Sequence, residues 1–249
     1  MKLIMFKGIS KTGKTTSAEA VISELRRRGF TVGSVKDIHF EGFTMETPGS
    51  NTDRHKKAGA APVTARGLAE TDIMFPESLD IERILENYHE DWVVLEGDSG
   101  ANCPNIVTGR TPEELDRKID GRTIAVAGVF ANRGAKEYRG LPVLSARDDP
   151  KALVDFIVER TPERMPNFDT YCCSECGEDG CRGLLEGMLK GTRGRSECTV
   201  KDGGVQLFID GREITIVDFV KDMLGGALRG MVKELDGYRE GAEIVIKMK

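Results

Sequence analysis

Apolar and polar positions alternate in blocks along the first 160 residues. The Leu3–Phe6 run leads through a glycine loop into residues 15–28, where Ala18, Val21, Ile22 and Leu25 recur at helical spacing and predict an amphipathic helix. FTVGSVK (30–36) reads as a second strand and APVTAR (61–66) as a short one; SLDIERILENY (78–88) reads as a helix. WVVLEGD (92–98) and TIAVAGVF (123–130) are buried-strand runs, LPVLS (141–145) is a last short strand, and residues 150–160 form a helix with proline in its first turn. Strands and helices in alternation predict an α/β layered sheet of parallel strands with helices on both faces.

The pattern changes after Arg160. TPERMPNFDT is polar, holds two prolines and has no periodicity, so residues 161–170 read as a linker between a nucleotide-binding domain (1–160) and a small cysteine-rich α+β domain (171–249). Beyond the linker come a short helix over 182–189, a hairpin over 205–217 turning at Asp210-Gly211, a glycine-interrupted helix over 218–235 and an alternating strand over 242–249.

Composition narrows the function classes. With 39% hydrophobic and 31% charged residues the chain can bury a core, and a net charge of −5 argues against broad capture of nucleic acid or an anionic membrane. No apolar run approaches the ~20 residues of a membrane span, and the short N-terminal run lacks the features of a signal peptide. A cytoplasmic protein is expected, and clustered cysteines there more often hold metal than form disulfides.

The strongest motif is Gly8-Ile9-Ser10-Lys11-Thr12-Gly13-Lys14-Thr15, which fits G-x4-G-K-[ST] between a predicted strand and a predicted helix. Such a loop curls its backbone N–H groups around phosphate oxygens at the positive end of a helix. Lys14 would reach the β- and γ-phosphates and Thr15 would offer its hydroxyl to Mg²⁺. Ile9 occupies the place where one variant of the loop carries a second lysine. Glu96 and Asp98 end a buried strand on the side where ligands bind in open α/β sheets. Glu96 is the preferred metal or water ligand and Asp98 the turn residue. Asp37, at the end of the second strand, is either a further ligand or a loop cap.

GISKTGKTT, GFTVGSVKDIHF, PGSNTDRHKKAGAAPV and DWVVLEGD together resemble the MobB family of molybdopterin guanine dinucleotide biosynthesis, over roughly residues 1–160. The resemblance implies a homodimer that binds GTP, hydrolyses it weakly, and assists a nucleotidyltransferase that joins GMP to molybdopterin for molybdenum or tungsten enzymes. It places Gly8, Ser10, Lys11, Thr12, Gly13, Lys14, Thr15 and Thr16 around the phosphates, Asp37 and Glu96 near Mg²⁺, and Asp53, Arg54 and His55 on the same face. Lys11-Thr12 departs from the small residues usual there. Asn132-Arg133-Gly134 stands where a guanine-reading N-K-x-D would be expected, but its aspartate is absent, which leaves GTP or ATP open from the residues alone.

Five of the six cysteines lie between Cys172 and Cys198. Cys173, Cys176, Cys181 and Cys198 have the number and spacing for a [4Fe–4S] cluster or a tetrahedral zinc site. The stretch is similar to the small [4Fe–4S] domain of corrinoid iron–sulfur proteins, although Gly183 and Gly187 weaken its helix. Cys172 reads as a spare thiol and Cys103 as an inert one. Two other readings stay open: a P-loop metallochaperone delivering nickel or an Fe–S cluster, and a redox or binding module that keeps its nucleotide without turnover.

Overall fold

The computed structural model describes residues 1–165, 167, 180–198, 205, 207–209, 212–214, 218–238 and 244. It divides into two compact units, residues 1–167 and 168–249.

In chain order the first unit contains β1 (Lys2–Lys7), α1 (Lys14–Arg27), β2 (Val32–Lys36), α2 (Asn51–Lys57), β3 (Val63–Arg66), β4 (Thr71–Met74), α3 (Ile81–Leu85), β5 (Trp92–Glu96), β6 (Asn105–Thr108), α4 (Pro112–Asp116), β7 (Thr123–Ala127), β8 (Glu137–Tyr138), β9 (Leu141–Pro142) and α5 (Pro150–Arg160). Five strands form a parallel sheet in the order β2-β5-β1-β6-β7. Beyond β7 the sheet gains one more parallel bridge, Val126 to Val143. The expected α/β architecture with helices on both faces is present.

Strand pleating sorts the core. Leu3 and Met5 of β1 and Val93 and Leu95 of β5 face one side, where they pack with Ile81 and Leu85 of α3, Ala101 and Cys103. Their neighbours Ile4, Phe6 and Val94 point the other way and are just as buried. Helix α1 contacts β1, β2 and β5 and lies beside α5. At about 1.5–3 kcal/mol for each fully buried large apolar side chain, these central strands supply much of the unit's cohesion.

Several elements depart from the sequence reading. The 78–88 helix is shortened to Ile81–Leu85; it starts at Ile81 because Asp80 caps it by accepting a hydrogen bond from Arg83 N at 2.9 Å. The 61–66 strand does not join the main sheet; β3 pairs with β4 as an antiparallel hairpin. Strand β6 and helix α4 were not anticipated. Residues 161–165 and 167 belong to the first unit: Thr161 and Met165 are buried, Arg164 pairs with Glu82, and Asn167 Nδ2 donates to Glu82 Oε1 at 3.2 Å and to Gly100 O at 3.3 Å.

In the second unit the described elements are α6 (Gly180–Leu189), a one-turn helix (Arg195–Glu197), a hairpin of β10 (Leu207–Ile209) and β11 (Arg212–Ile214), and α7 (Asp218–Val232). Leu184 and Leu185 are fully buried. The turn Asp210-Gly211 and most of the expected 242–249 strand lie outside the described residues. No described helix is long and apolar enough to cross a membrane.

Candidate nucleotide site

Strand β1 is buried through Lys7 and delivers the chain to Gly8 at the C-terminal edge of the sheet. Gly8 has φ of +154°, and a Cβ there would stand 2.4 Å from Thr108 O, so only glycine fits. Thr12 is fully buried: its hydroxyl donates to Ile9 O at 2.8 Å and shares a 2.7 Å hydrogen bond with the Thr108 hydroxyl. The loop is thus pinned from inside to β6. Lys11 adopts φ of +61° and is exposed together with Ser10.

Gly13 caps α1 in the left-handed conformation and brings no side chain to its first N–H groups. The first turn contains no acidic residue. An unfilled positive helix end of this kind suits an anion. Lys14 Nζ donates to Ile9 O at 2.5 Å, folded back along the loop. Burial, then the positive charge of Lys36, hold the Lys14 ammonium below its ordinary pKa.

The acidic side comes from β5 and the end of β2. Glu96 is buried, and its Oε1 accepts hydrogen bonds from the Thr15 hydroxyl at 2.8 Å and from the Lys36 ammonium. Asp37 follows β2, where its N–H donates to Glu96 O at 2.8 Å. Its carboxylate accepts from Asp98 N at 3.3 Å and pairs with His39 at 3.2 Å. Gly97 allows this approach: a Cβ there would lie 2.4 Å from Asp37 Cβ. Lys14, Thr15, Asp37 and Glu96 therefore share one edge of the sheet. Asp98 turns aside toward Lys7, 3.6 Å, and Lys118, 3.4 Å.

A phosphate loop between β1 and α1, with a carboxylate from the neighbouring strand on its threonine, is found in many enzymes, and comparison with known proteins narrows the field. The family model of molybdopterin guanine dinucleotide synthesis protein B, MobB, matches residues 3–129. This chain belongs to the MobB family. The molybdopterin-guanine dinucleotide biosynthesis adapter protein of Escherichia coli is 31% identical over 63% of this chain and 91% of its own length. A Methanocaldococcus jannaschii relative, provisionally given the same adapter role, is 24% identical over the whole of this chain and 97% of its own. The crystal structure of Bacillus subtilis MobB superposes with a TM-score of 0.52 at 25% identity, covering 64% of this chain and 97% of that one. The E. coli and B. subtilis proteins thus match only part of the chain, whereas the M. jannaschii relative aligns along all of it.

Other residues singled out in the sequence have surroundings of their own. Asp53 is buried near the start of α2, where Lys57 Nζ at 2.6 Å, and then the Gly49 N–H at 2.7 Å, hold its carboxyl below the ordinary range. Arg54 and His55 are exposed on the same helix. Thr44, Glu46, Pro48, Asp53, Lys56 and Lys57 line an open recess of about 340 Å³. Cys103 is a free thiol packed against α3, and burial pushes its pKa up to about 12. Cys181, in α6, and Cys198, ending a one-turn helix that packs on α6, are both buried. Cys172, Cys173 and Cys176 lie outside the described residues.

The sequence reading passed over four residues that shape the site. Thr108 locks the loop from β6, and Gly128 lies so close to Thr12 that a Cβ would stand 2.2 Å from its carbonyl oxygen. Lys7, only 6% exposed, is paired with Asp120 at 2.9 Å. The hint for Lys7 was available: a lysine between four apolar residues and the first glycine of the loop must be buried, and a buried ammonium needs a partner.

Proposed function

We propose that this protein is an adapter in molybdopterin guanine dinucleotide assembly that binds GTP with Mg²⁺, hydrolyses it slowly, and works as a homodimer with a molybdopterin nucleotidyltransferase serving molybdenum or tungsten enzymes. The observation that carries the reading is the hydrogen bond from Thr15 to Glu96 beside an uncapped helix start. It brings a hydroxyl and a carboxylate, the hard oxygen donors that Mg²⁺ prefers, next to a glycine-lined phosphate cradle. Family membership and the adapter names of the relatives support the pathway.

The chain's residues divide the work. Gly8 to Thr16 hold the phosphates through backbone N–H groups, and Lys14 exchanges its contact with Ile9 O for phosphate oxygens. Thr15 and Glu96, with Asp37 behind them, would hold Mg²⁺, which would supply positive charge against the phosphates. Asp37 and Glu96 orient the attacking water. Hydrolysis breaks the bond between the γ-phosphorus and its bridging oxygen, forms one to the water oxygen, and releases GDP, phosphate and a proton.

The second unit is assigned a [4Fe–4S] cluster on Cys173, Cys176, Cys181 and Cys198, with zinc as the alternative occupant. Cys181 and Cys198 fit a cluster in that both are buried on neighbouring elements, α6 and the one-turn helix that packs on it. Anaerobic purification followed by iron, sulfide and zinc assay, with GTP turnover measured with and without Mg²⁺, tests the whole reading. Iron and sulfide near four per chain, and turnover that needs both Mg²⁺ and Glu96, are expected. One zinc per chain would replace the cluster, and Mg²⁺-independent turnover would remove the assigned site.

A further inference from the structure

The N-K-x-D that reads guanine elsewhere is incomplete in this sequence, yet the fold brings an acidic residue from farther along the chain to the same place. Asn132 lies in a one-turn helix, Ala131–Arg133, immediately after β7. Val143 and Leu144 run alongside β7, with Leu144 N–H donating to Val126 O at 2.9 Å, so the next residue, Ser145, emerges at the same edge of the sheet. There the Ser145 hydroxyl lies 2.9 Å from Asn132 Oδ1 and 2.8 Å from Asp148 Oδ2, while also accepting the Asp148 N–H at 3.1 Å. Asn132 and Asp148 are both exposed, and Ser145 ties them into one polar edge.

This edge is joined to the phosphate loop. Val129 N–H donates to Thr12 O at 3.0 Å, Phe130 N–H donates to Gly109 O at 2.8 Å, and Gly128 touches Gly13 closely enough that a Cβ on Gly13 would stand 3.0 Å from Gly128 Cα. Asn132 N–H in turn donates to Gly128 O at 3.4 Å, so the segment that carries Asn132 adjoins the phosphate loop, within reach of a base whose phosphates occupy Gly8–Thr15.

We propose that Asn132 and Asp148, held together by Ser145, form the base-reading subsite and select guanine, with Asp148 supplying the carboxylate missing from the Asn132-Arg133-Gly134 segment. This rests on the nucleotide reading above. Guanine presents two donors, N1–H and the N2 amine, on one edge and the acceptors N7 and O6 on another. A carboxylate has two oxygens to meet the donors, and an amide nitrogen can meet an acceptor. The Ser145 hydroxyl has one proton and two nearby acceptors. Once guanine occupies the Asp148 oxygens, that proton settles on Asn132 Oδ1, which turns Asn132 Nδ2 outward as a donor to N7. Adenine would oppose its N1 lone pair to Asp148 and leave the carboxylate without a donor, the kind of mismatch that discriminates by far more than one lost contact.

The test is equilibrium binding of GTP, ATP and xanthosine triphosphate, each with Mg²⁺, to the full chain and to Asp148→Asn, Asn132→Ala and Lys14→Ala. Xanthine carries an oxygen where guanine carries its N2 amine, so an asparagine at 148 is its complement. Asp148→Asn should lose roughly 100-fold in GTP affinity and gain at least about tenfold for xanthosine triphosphate, a switch that misfolding cannot produce. Asn132→Ala should weaken GTP about tenfold and leave ATP nearly unchanged. Equal binding of GTP and ATP by the unaltered chain, or an unchanged preference in Asp148→Asn, would overturn the subsite while leaving the phosphate site intact. Absence of nucleotide binding by the unaltered chain, or binding indifferent to Lys14→Ala, would instead overturn the nucleotide reading and this subsite with it.

Discussion

The ammonium of Lys7, on the strand that feeds the phosphate loop, lies 2.9 Å from the Asp120 carboxylate just before β7 begins. Asp120 also accepts from Asn105 Nδ2 at 2.9 Å and from Arg122 N at 2.9 Å. Burial alone would raise its pKa, but the Asn105 and Lys7 hydrogen bonds prevail and bring it down to about 2. The pair thereby ties β1, β6 and β7 together below the loop.

Asp120→Asn should therefore destabilise the first unit by about 2 kcal/mol, less than a fully buried pair because Lys7 retains Asp98 at 3.6 Å. Because the folded-state pKa is depressed, the contribution is fully present above about pH 4 and fades as pH falls toward 2. Chemical denaturation at pH 7 and at pH 3 checks both points: the gap between wild type and variant should narrow at the lower pH.

Glu96→Gln should leave nucleotide binding within roughly threefold and lower Mg²⁺-dependent turnover by about 100-fold, since the phosphate cradle is built from backbone and Lys14. Binding without Mg²⁺ should be nearly unchanged. A titration of GTP against both proteins, with and without the metal, separates the two effects. Equal Mg²⁺ dependence in the variant would show that Glu96 does not serve the metal.

Gly128→Ala tests the close packing of the β7 loop on the phosphate loop. Its φ of +73° and the 2.2 Å approach to Thr12 O leave no room for a methyl group. A cost of about 2 kcal/mol or more is expected, with weakened nucleotide binding as Thr12 is displaced. Thermal unfolding with and without GTP reports both. Gly134→Ala, where the space is open, is the matched control, its cost confined to backbone conformation.

Cys103 should resist alkylation in the native protein. With its thiol fully buried and its pKa near 12, almost no thiolate exists at neutral pH. Iodoacetamide labelling followed by peptide mapping should find Cys103 unmodified until denaturant is added. Rapid native labelling of Cys103 would show that the core around α3 opens.

How much of this the sequence disclosed follows from how local each signal was. The phosphate loop was legible because its chemistry is contiguous, glycine, lysine and threonine at fixed spacing between strand and helix. Glu96 was legible because four apolar residues lead straight to it. Strand β6 was missed: four residues after a proline give no periodicity, although they sit beside β1 at the centre of the sheet. Thr108 was invisible for the same reason, since its role exists only once β6 is paired. Helix α4 did carry a signal, Thr111 as cap followed by Pro112 and two glutamates, but five residues are too few to show a face. Asp148 could not be connected to Asn132 from the chain alone, because only the pairing beside β7 brings them together.

The stretch from Thr161 to Asn167 has a practical consequence for dissecting the chain. A fragment ended at residue 160 would uncover the buried Met165 site and strip Glu82 of both Arg164 and Asn167. It would be expected to misbehave in solution for reasons unrelated to the nucleotide. Ending it after Asn167 keeps the seam closed, so any activity then lost can be credited to the cysteine-bearing half.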